Sequence, residues 1–359
     1  MTTREDILRA LERVADPATG KSIVASGMVE GLVIKDGHVG FALEVAAHRG
    51  REAEPLRKAA EDAVQALPGV FSVTAVLTAH QGKQPDAGRA PPQPAGIPGV
   101  ESIVAVASGK GGVGKSTVAV NLAIALARQG LRVGLLDADI YGPSVPRLLG
   151  IRDKPGVNAD RKLVPIEKFG IKTMSIGFVV DEAAPVAWRG PMVQSALTQM
   201  MTGVQWAPLD VLIVDMPPGT GDIQLTLTQR VPLKGAVIVS TPQDLALIDA
   251  RKAIAMFEKT KVPILGLVEN MSTFVCPSCG HESHIFGHGG ARETARRMGA
   301  AFLGEIPLVG SIREMSDAGT PVAATAPASA EAKSYTNLAA EVALRLSTPL
   351  RAAPRIVLE

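Results

Sequence analysis

Two spacings of apolar residues alternate along the chain. Residues 3–14 and 51–66 carry hydrophobic positions at helical intervals, whereas 28–34, 38–45 and 70–77 are short runs of strand character. Lys35-Asp36-Gly37, between the first two strands, is a hairpin signal, and residues 1–80 are predicted to form a small α/β domain. The pattern stops at residues 81–99, QGKQPDAGRAPPQPAGIPG, which hold five prolines, four glycines and no aromatic residue. Such a segment buries too little apolar surface to offset its ordering entropy and is expected to be an extended linker. Beyond it, apolar runs near 102–107, 131–137, 171–176, 211–215, 235–240, 263–268 and 301–304 alternate with longer helical stretches. That alternation predicts an α/β fold over 100–348, a mostly parallel sheet with helices on both faces, and leaves 349–359 as a tail. The ligand site of such a sheet lies at the carboxyl ends of its strands.

Composition sharpens this reading. Hydrophobic residues make up 46% of the 359 but aromatics only 3%, so Ala, Val, Leu and Ile must build the core, as in a parallel sheet covered by helices. With 37 basic and 35 acidic side chains, the net charge of +2 gives no footprint for nucleic acid or anionic membrane. The first residues, MTTREDILRALERV, lack the apolar stretch of a signal peptide, and no run of about 18 apolar residues occurs, so a cytoplasmic protein with neither membrane nor nucleic-acid partner is expected.

The candidate chemistry begins after the strand ending at Ala107. Gly109-Lys110-Gly111-Gly112-Val113-Gly114-Lys115-Ser116-Thr117 fits G-x-x-x-x-G-K-[ST] between a buried strand and an apolar helix, the context that motif requires. Glycines let backbone N–H groups crowd a β-phosphate, Lys115 brings charge to the β- and γ-phosphates, and Ser116 can ligate Mg²⁺. The terminal Lys-Ser calls for a triphosphate with Mg²⁺, ATP being the expected one, and sets a dinucleotide aside. Two further strands end in carboxylates: Leu135-Leu136-Asp137-Ala138-Asp139, and Val211-Leu212-Ile213-Val214-Asp215 followed by Met216-Pro217-Pro218-Gly219. Asp215 reads as a Walker B aspartate, and Gly219 as a backbone sensor of the γ-phosphate. Helix capping is the other reading of Asp137 and Asp139.

Lys110, after the first glycine, is the second lysine of a deviant Walker A motif, and the loop resembles that of the nitrogenase iron protein and the MinD/ParA-type ATPases. The resemblance implies a nucleotide-sandwich homodimer in which Lys110 reaches the partner's phosphates, much as an arginine finger does. It also implies that Asp139 activates water, that Asp137 lies near the metal, and that Asn270, in Gly266-Leu267-Val268-Glu269-Asn270, meets the adenine edge; an Asx turn is the other account of Asn270.

The only two cysteines, Cys276 and Cys279, form a Cys-x-x-Cys just after that strand. A cluster held by four thiolates needs two more, which a two-fold-related copy would supply. Other readings stay open: a Zn²⁺ site with Cys276, Cys279, His281 and His284, whose histidine spacings are tight, or a redox disulfide. With DADIYGPS from Asp137, RGPM from Arg189, DMPPGTGD from Asp215, ENMS from Glu269 and CPSCG from Cys276, residues 100–345 resemble the Mrp/ApbC iron–sulfur cluster carriers. DPATGKSIVASGMV, from Asp16 to Val29, resembles the entry motif of the small iron–sulfur-assembly domain often fused to them. The resemblance implies a slowly ATP-hydrolysing homodimer that binds a labile [4Fe–4S] cluster and passes it to apoproteins, working with cluster-assembly factors. Two other functions share this core: a MinD/ParA-like positioning switch, which calls for a basic amphipathic C-terminal helix or a basic stripe that is not evident, and an electron-donating iron protein. Arg189 has a match in the family but no role derivable from the sequence.

Overall fold

A computed structural model of the chain describes residues 3–17, 19–35, 38–46, 53–80, 96–180 and 190–347. The chain divides into two compact units, Met1–Pro91 and Pro92–Glu359. Most of the expected linker, residues 81–95, the tail 349–359 and the hairpin residues Asp36 and Gly37 lie outside the described residues, as does Arg189.

In the first unit α1 (Arg4–Leu11) starts at Thr3, whose hydroxyl accepts from the Asp6 N–H while the Asp6 carboxylate accepts from the Thr3 N–H, a capping box that meets two otherwise orphaned donors. Strand β1 (Val29–Lys35) runs antiparallel to β2 (His38–Ala46), and β2 runs parallel to β3 (Ser72–His80) through helix α2 (Glu54–Gln65). Ile7, Leu11, Ile23, Leu43, Ala60 and Val64 are fully buried in its core.

The second unit is built on a nine-stranded sheet. Its strands are β4 (Val100–Ala107), β5 (Val133–Asp137), β6 (Ile166–Lys168), β7 (Ile171–Ser175), β8 (Leu209–Asp215), β9 (Gly235–Ser240), β10 (Ile264–Val275), β11 (Glu282–Ser283) and β12 (Phe302–Leu308). Their order is β11-β10-β9-β4-β8-β5-β7-β6, with β12 also pairing with β10, and all pairings are parallel except those of β6 and β11. Every residue of β5 and β9 is buried, as a sheet covered on both faces requires. The covering helices are α3 (Lys115–Arg128), α4 (Val145–Leu148), α5 (Gly190–Thr202), α6 (Asp222–Arg230), α7 (Asp244–Lys259), α8 (Gly290–Arg297), α9 (Gly310–Asp317), α10 (Val322–Thr325) and α11 (Ala330–Ser347). Helix α3 is buried along most of its length between the sheet and α10 and α11; Ala332, Tyr335, Leu338, Ala339 and Val342 of α11 are buried, so its apolar face is used inside the unit. Among the described residues no helix is long and apolar enough to cross a membrane.

Two differences from the sequence expectations bear on the site. The last part of the expected linker belongs to the second unit: Ile97 is buried in its core, and the Gly99 carbonyl accepts from the Leu209 N–H. Strand β10 runs on past residue 268 through the polar ENMSTF to Val275, because β12 pairs along its flank and β11 caps its end. The strand that the sequence reading ends at Asn270 therefore continues to Val275, next to Cys276.

Candidate functional site

Strands β4, β5 and β8 lie side by side, which brings their carboxyl ends together. From β4 the chain turns through the glycine loop into α3, whose N-cap residue Gly114 has φ +78° and whose first N–H groups receive no side-chain cap. Uncapped donors at a helix start, backed by the helix dipole, form an anion site. A cleft of about 320 Å³ opens there, and Lys110, Gly111, Gly112, Lys115, Ser116 and Asp139 share its wall with Gly114 and Thr117. Lys110 Nζ makes no hydrogen bond or ion pair with the described residues, so its charge is free.

The remaining predicted residues stand behind this wall. Gly109 packs on α7: a Cβ there would lie 2.1 Å from the Asp249 carbonyl. Val113 is buried, and its carbonyl accepts from Asn270 Nδ2 at 2.8 Å; a Cβ on Gly114 would lie 2.3 Å from that same nitrogen. Asn270 is thus in place beneath the loop rather than on the cleft wall, with its amide N–H committed to the loop backbone. The Gly219 N–H donates to the Ser108 carbonyl at 3.0 Å, so contact with a γ-phosphate requires exchange of that bond.

At the floor, Lys115 Nζ pairs with Asp215 Oδ1 at 2.5 Å and lies 3.2 Å from the Ser116 hydroxyl. Asp215 Oδ2 is buried with no hydrogen-bond partner among the described residues. An orphaned carboxylate oxygen beside a hydroxyl and a phosphate-binding loop fits a hard divalent cation such as Mg²⁺. Asp137, expected near the metal, neighbours Asp215 and Lys115, and both its oxygens are occupied: Oδ1 accepts from the Asp139 N–H (3.1 Å), and Oδ2 from the Val145 N–H (3.1 Å) and Ser175 Oγ (3.0 Å). It anchors the loop that carries Asp139. Asp139 is half-buried, and burial raises its carboxyl above the usual range, with Lys115 opposing.

Burial, and then the neighbouring Asp215 carboxylate, push Asp137 up to about 7. The unfolded chain ionises this group near 3.8, so the folded state holds a proton that the unfolded state releases. The resulting stability is fully present below the unfolded value and lost as pH rises through the folded one. Thermal melts of the nucleotide-free protein should therefore fall between about pH 4 and pH 7, and Asp137→Asn should flatten that slope.

Gln224 carries no signal in the sequence, yet it pins this region: its buried amide donates to the carbonyls of Pro217 (3.2 Å) and Pro218 (2.7 Å). Two prolines offer no N–H of their own, so the segment after Asp215 is held by its carbonyls.

Past the cleft, β10 and β11 form a short ladder closed by Cys276-Pro277-Ser278-Cys279-Gly280. The Cys276 N–H donates to the His281 carbonyl and the Gly280 N–H to the Cys276 carbonyl, both at 2.9 Å, with Gly280 at φ +71° closing the turn. Hydrogen bonds from the Ser278 and Cys279 backbone N–H groups and from the Cys279 thiol hold the Cys276 thiol below its ordinary range. Both cysteines are free thiols and Cys279 is exposed. The knuckle thus carries an exposed Cys279 beside a half-buried Cys276 whose thiolate form the backbone donors favour. Of the two histidines considered as zinc ligands, His284 lies against the Ser272 carbonyl (3.3 Å) and stacks on His288. Among the described residues, the one group of three potential ligands that converges is Glu269, His288 and Glu305, and neither thiol belongs to it.

A family model described as NUBPL iron-transfer P-loop NTPase matches residues 99–343, the span that holds both the cleft and the knuckle. The chain belongs to that family. A second model, described as iron-sulfur cluster assembly protein, matches residues 4–76. Among relatives of this NTPase, the "Iron-sulfur protein required for NADH dehydrogenase, mitochondrial" of Arabidopsis thaliana is 60% identical over 245 residues, 68% of this chain and 78% of that protein. The "Iron-sulfur cluster carrier protein" of Synechocystis is 43% identical over 355 residues, 97% of this chain and 99% of that one. A solved nucleotide-binding protein from Archaeoglobus fulgidus, in complex with ADP and with cobalt found in it, is 44% identical, with a TM-score of 0.55, 62% of this chain and 87% of that chain being covered.

Proposed function

We propose that the protein is an ATP-hydrolysing iron–sulfur carrier, in which two copies pair to hold one [4Fe–4S] cluster between their knuckles and release it to apoproteins. The observation that carries this reading is the thiol pair: two free thiols on one turn, with no third ligand converging on them among the described residues, are half of a four-thiolate set. Two-fold symmetry supplies the other half, since each copy presents the same patch. The names of its relatives, iron–sulfur carriers among them, support the same cargo.

The nucleotide half of the cycle follows from the cleft. ATP phosphates settle on the uncapped start of α3, and Lys115 turns from Asp215 to the β- and γ-phosphates. Ser116 and the freed Asp215 side are the residues to hold Mg²⁺, which when bound neutralises charge developing on the phosphates. Asp139, on the loop anchored by Asp137, orients the attacking water, and the uncommitted Lys110 extends to the partner's phosphates. Gly219 exchanges the Ser108 carbonyl for the γ-phosphate, so the segment pinned by Gln224 changes position with hydrolysis. Asn270, held beneath the loop, exchanges the Val113 carbonyl for the base edge when nucleotide enters. The cytoplasm, or another reducing compartment, is the setting that keeps both thiols free.

The test is anaerobic reconstitution with iron and sulfide. Wild-type protein should gain the visible charge-transfer absorption of a cluster, run as a dimer, and hold about four irons per pair of chains. A Cys276→Ala/Cys279→Ala variant should bind nucleotide normally and hold almost no iron. One zinc per chain with no iron taken up would overturn the carrier assignment and leave the ATP cleft intact.

A further inference from the structure

Successive side chains of a strand point to opposite faces, and near the end of β10 two successive buried polar residues use this in a specific way. Asn270 faces the phosphate loop and donates to the Val113 carbonyl at 2.8 Å. Glu269, fully buried, faces the other way and accepts from the N–H groups of Gly289 and Ala291, both at 2.7 Å. Those two groups begin α8, and residues 284–289 leading into it form the limb by which the chain returns from the thiol knuckle. One peptide unit therefore separates a clamp on the nucleotide loop from a clamp on the knuckle's return limb.

Glu269 forms no ion pair with the described residues; its carboxylate is balanced by the start of α8. The limb has further fastenings. His288 Nε2 lies 3.0 Å from Glu305 Oε2, Arg292 donates to the other Glu305 oxygen at 2.9 Å, and the His284 and His288 rings stack with centroids 4.4 Å apart. Beside the clamps stands a pivot. Met271 has φ +58°, a left-handed conformation rare for a residue with a side chain, and the β10–β12 register shifts between Asn270 and Phe274. The ladder is thus interrupted between the clamps and Cys276.

We propose that Glu269 is a positioning residue that carries the state of the nucleotide loop to the cysteine knuckle, by tying the return limb to the same turn of β10 that Asn270 ties to Val113. This rests on the carrier reading above and adds to it the route by which nucleotide governs the thiols. When nucleotide shifts the loop, Asn270 moves the strand end about Met271, and the limb follows through the two bonds to Glu269. The knuckle, held by the pairs Phe274–Ser283 and Val275–Glu282, changes its exposure with the limb.

The experiment measures alkylation of Cys276 and Cys279 by iodoacetamide in iron-free protein, with and without a non-hydrolysable ATP analogue and Mg²⁺. In the wild type the analogue should change the rate by about fivefold or more, the scale of ordinary site-to-site coupling. Glu269→Gln keeps one acceptor but places an amide N–H against a backbone N–H, and it should bring that ratio to within about twofold of unity while affinity for the analogue stays within about threefold. His288→Ala loosens the limb from its exposed side and should reduce the ratio partway; it serves as the test if Glu269→Gln does not fold. A wild-type ratio in Glu269→Gln, or in His288→Ala when that is the folded variant, overturns the proposal, as does a wild type whose thiols ignore nucleotide. Iron and sulfide loading of the same proteins separates the two readings: a wild type that takes up no cluster sinks the carrier assignment, whereas a Glu269→Gln protein that loads normally but has lost its nucleotide response supports this one.

Discussion

Lys115→Met is expected to reduce ATP hydrolysis by at least about a hundredfold, because it removes a fixed positive charge from the place where the transferred phosphoryl group gathers negative charge. The same change should weaken the nucleotide-free fold. Lys115 is the cation paired with the fully buried Asp215, and Asp137 is buried close by; without the ammonium, two carboxylates share a dry pocket. Breaking a buried pair from one side costs about 3–5 kcal/mol, since the surviving charge is stranded. Urea denaturation at pH 8 should show that loss. Adding Asp215→Asn should restore much of the stability, because it removes the stranded charge, yet leave hydrolysis as low as before. Stability and turnover recovering together would mean that Lys115 acts only as structural ballast for Asp215.

Gly109→Ala should be the most damaging single methyl in the phosphate loop. Its Cβ would lie 2.1 Å from the Asp249 carbonyl carbon and oxygen, which are backbone of α7 and cannot rotate aside. Relief requires α7 or the loop to shift bodily, a change expected to cost about 3 kcal/mol and to raise the nucleotide Kd at least tenfold, the upper range for an overpacked interior. Two neighbouring glycines supply the contrast. A Cβ on Gly112 meets nothing within 4 Å, but φ is +81°, so alanine there should cost only about 1 kcal/mol of backbone strain. At Gly111 the nearest atom is Pro218 Cβ at 4.0 Å, so alanine should leave the free protein nearly unchanged. Urea denaturation and calorimetric nucleotide titration of the three variants should rank them in that order; a Gly109→Ala protein as stable as Gly111→Ala would show that α7 yields more easily than packed backbone can.

These contrasts mark where sequence reasoning ends. The phosphate loop, the carboxylates at the ends of β5 and β8, and the parallel sheet were legible because each rests on local pattern: strand, glycine turn, helix. That Gly109 is a glycine because of α7, 140 residues away, was not, since the motif requires a glycine there for its own reasons. Asp137 was expected near the metal from the family resemblance. Its occupied oxygens come from Val145 and Ser175, partners that only the folded loop and β7 bring near. The roles of Gln224 and Glu269 were missed on the same ground: a single polar residue, whether just past a motif or within one, does not reveal which backbone groups it serves. The length of β10 was underestimated because its second half is polar, and pairing with β12 and β11 outweighs the lack of apolar alternation.

The order of strands across the sheet has one more consequence. Counting outward from β4, the loops that carry Gly219 and Asp139 follow β8 and β5 on one flank, whereas the thiols follow β9 and β10 on the other. The timer and the cargo bay occupy opposite wings of one slab, with the phosphate loop at the midline. On the proposed function, a change near Asp139 or Gly219 reaches the cargo bay across that midline, where Asn270 fastens the phosphate loop.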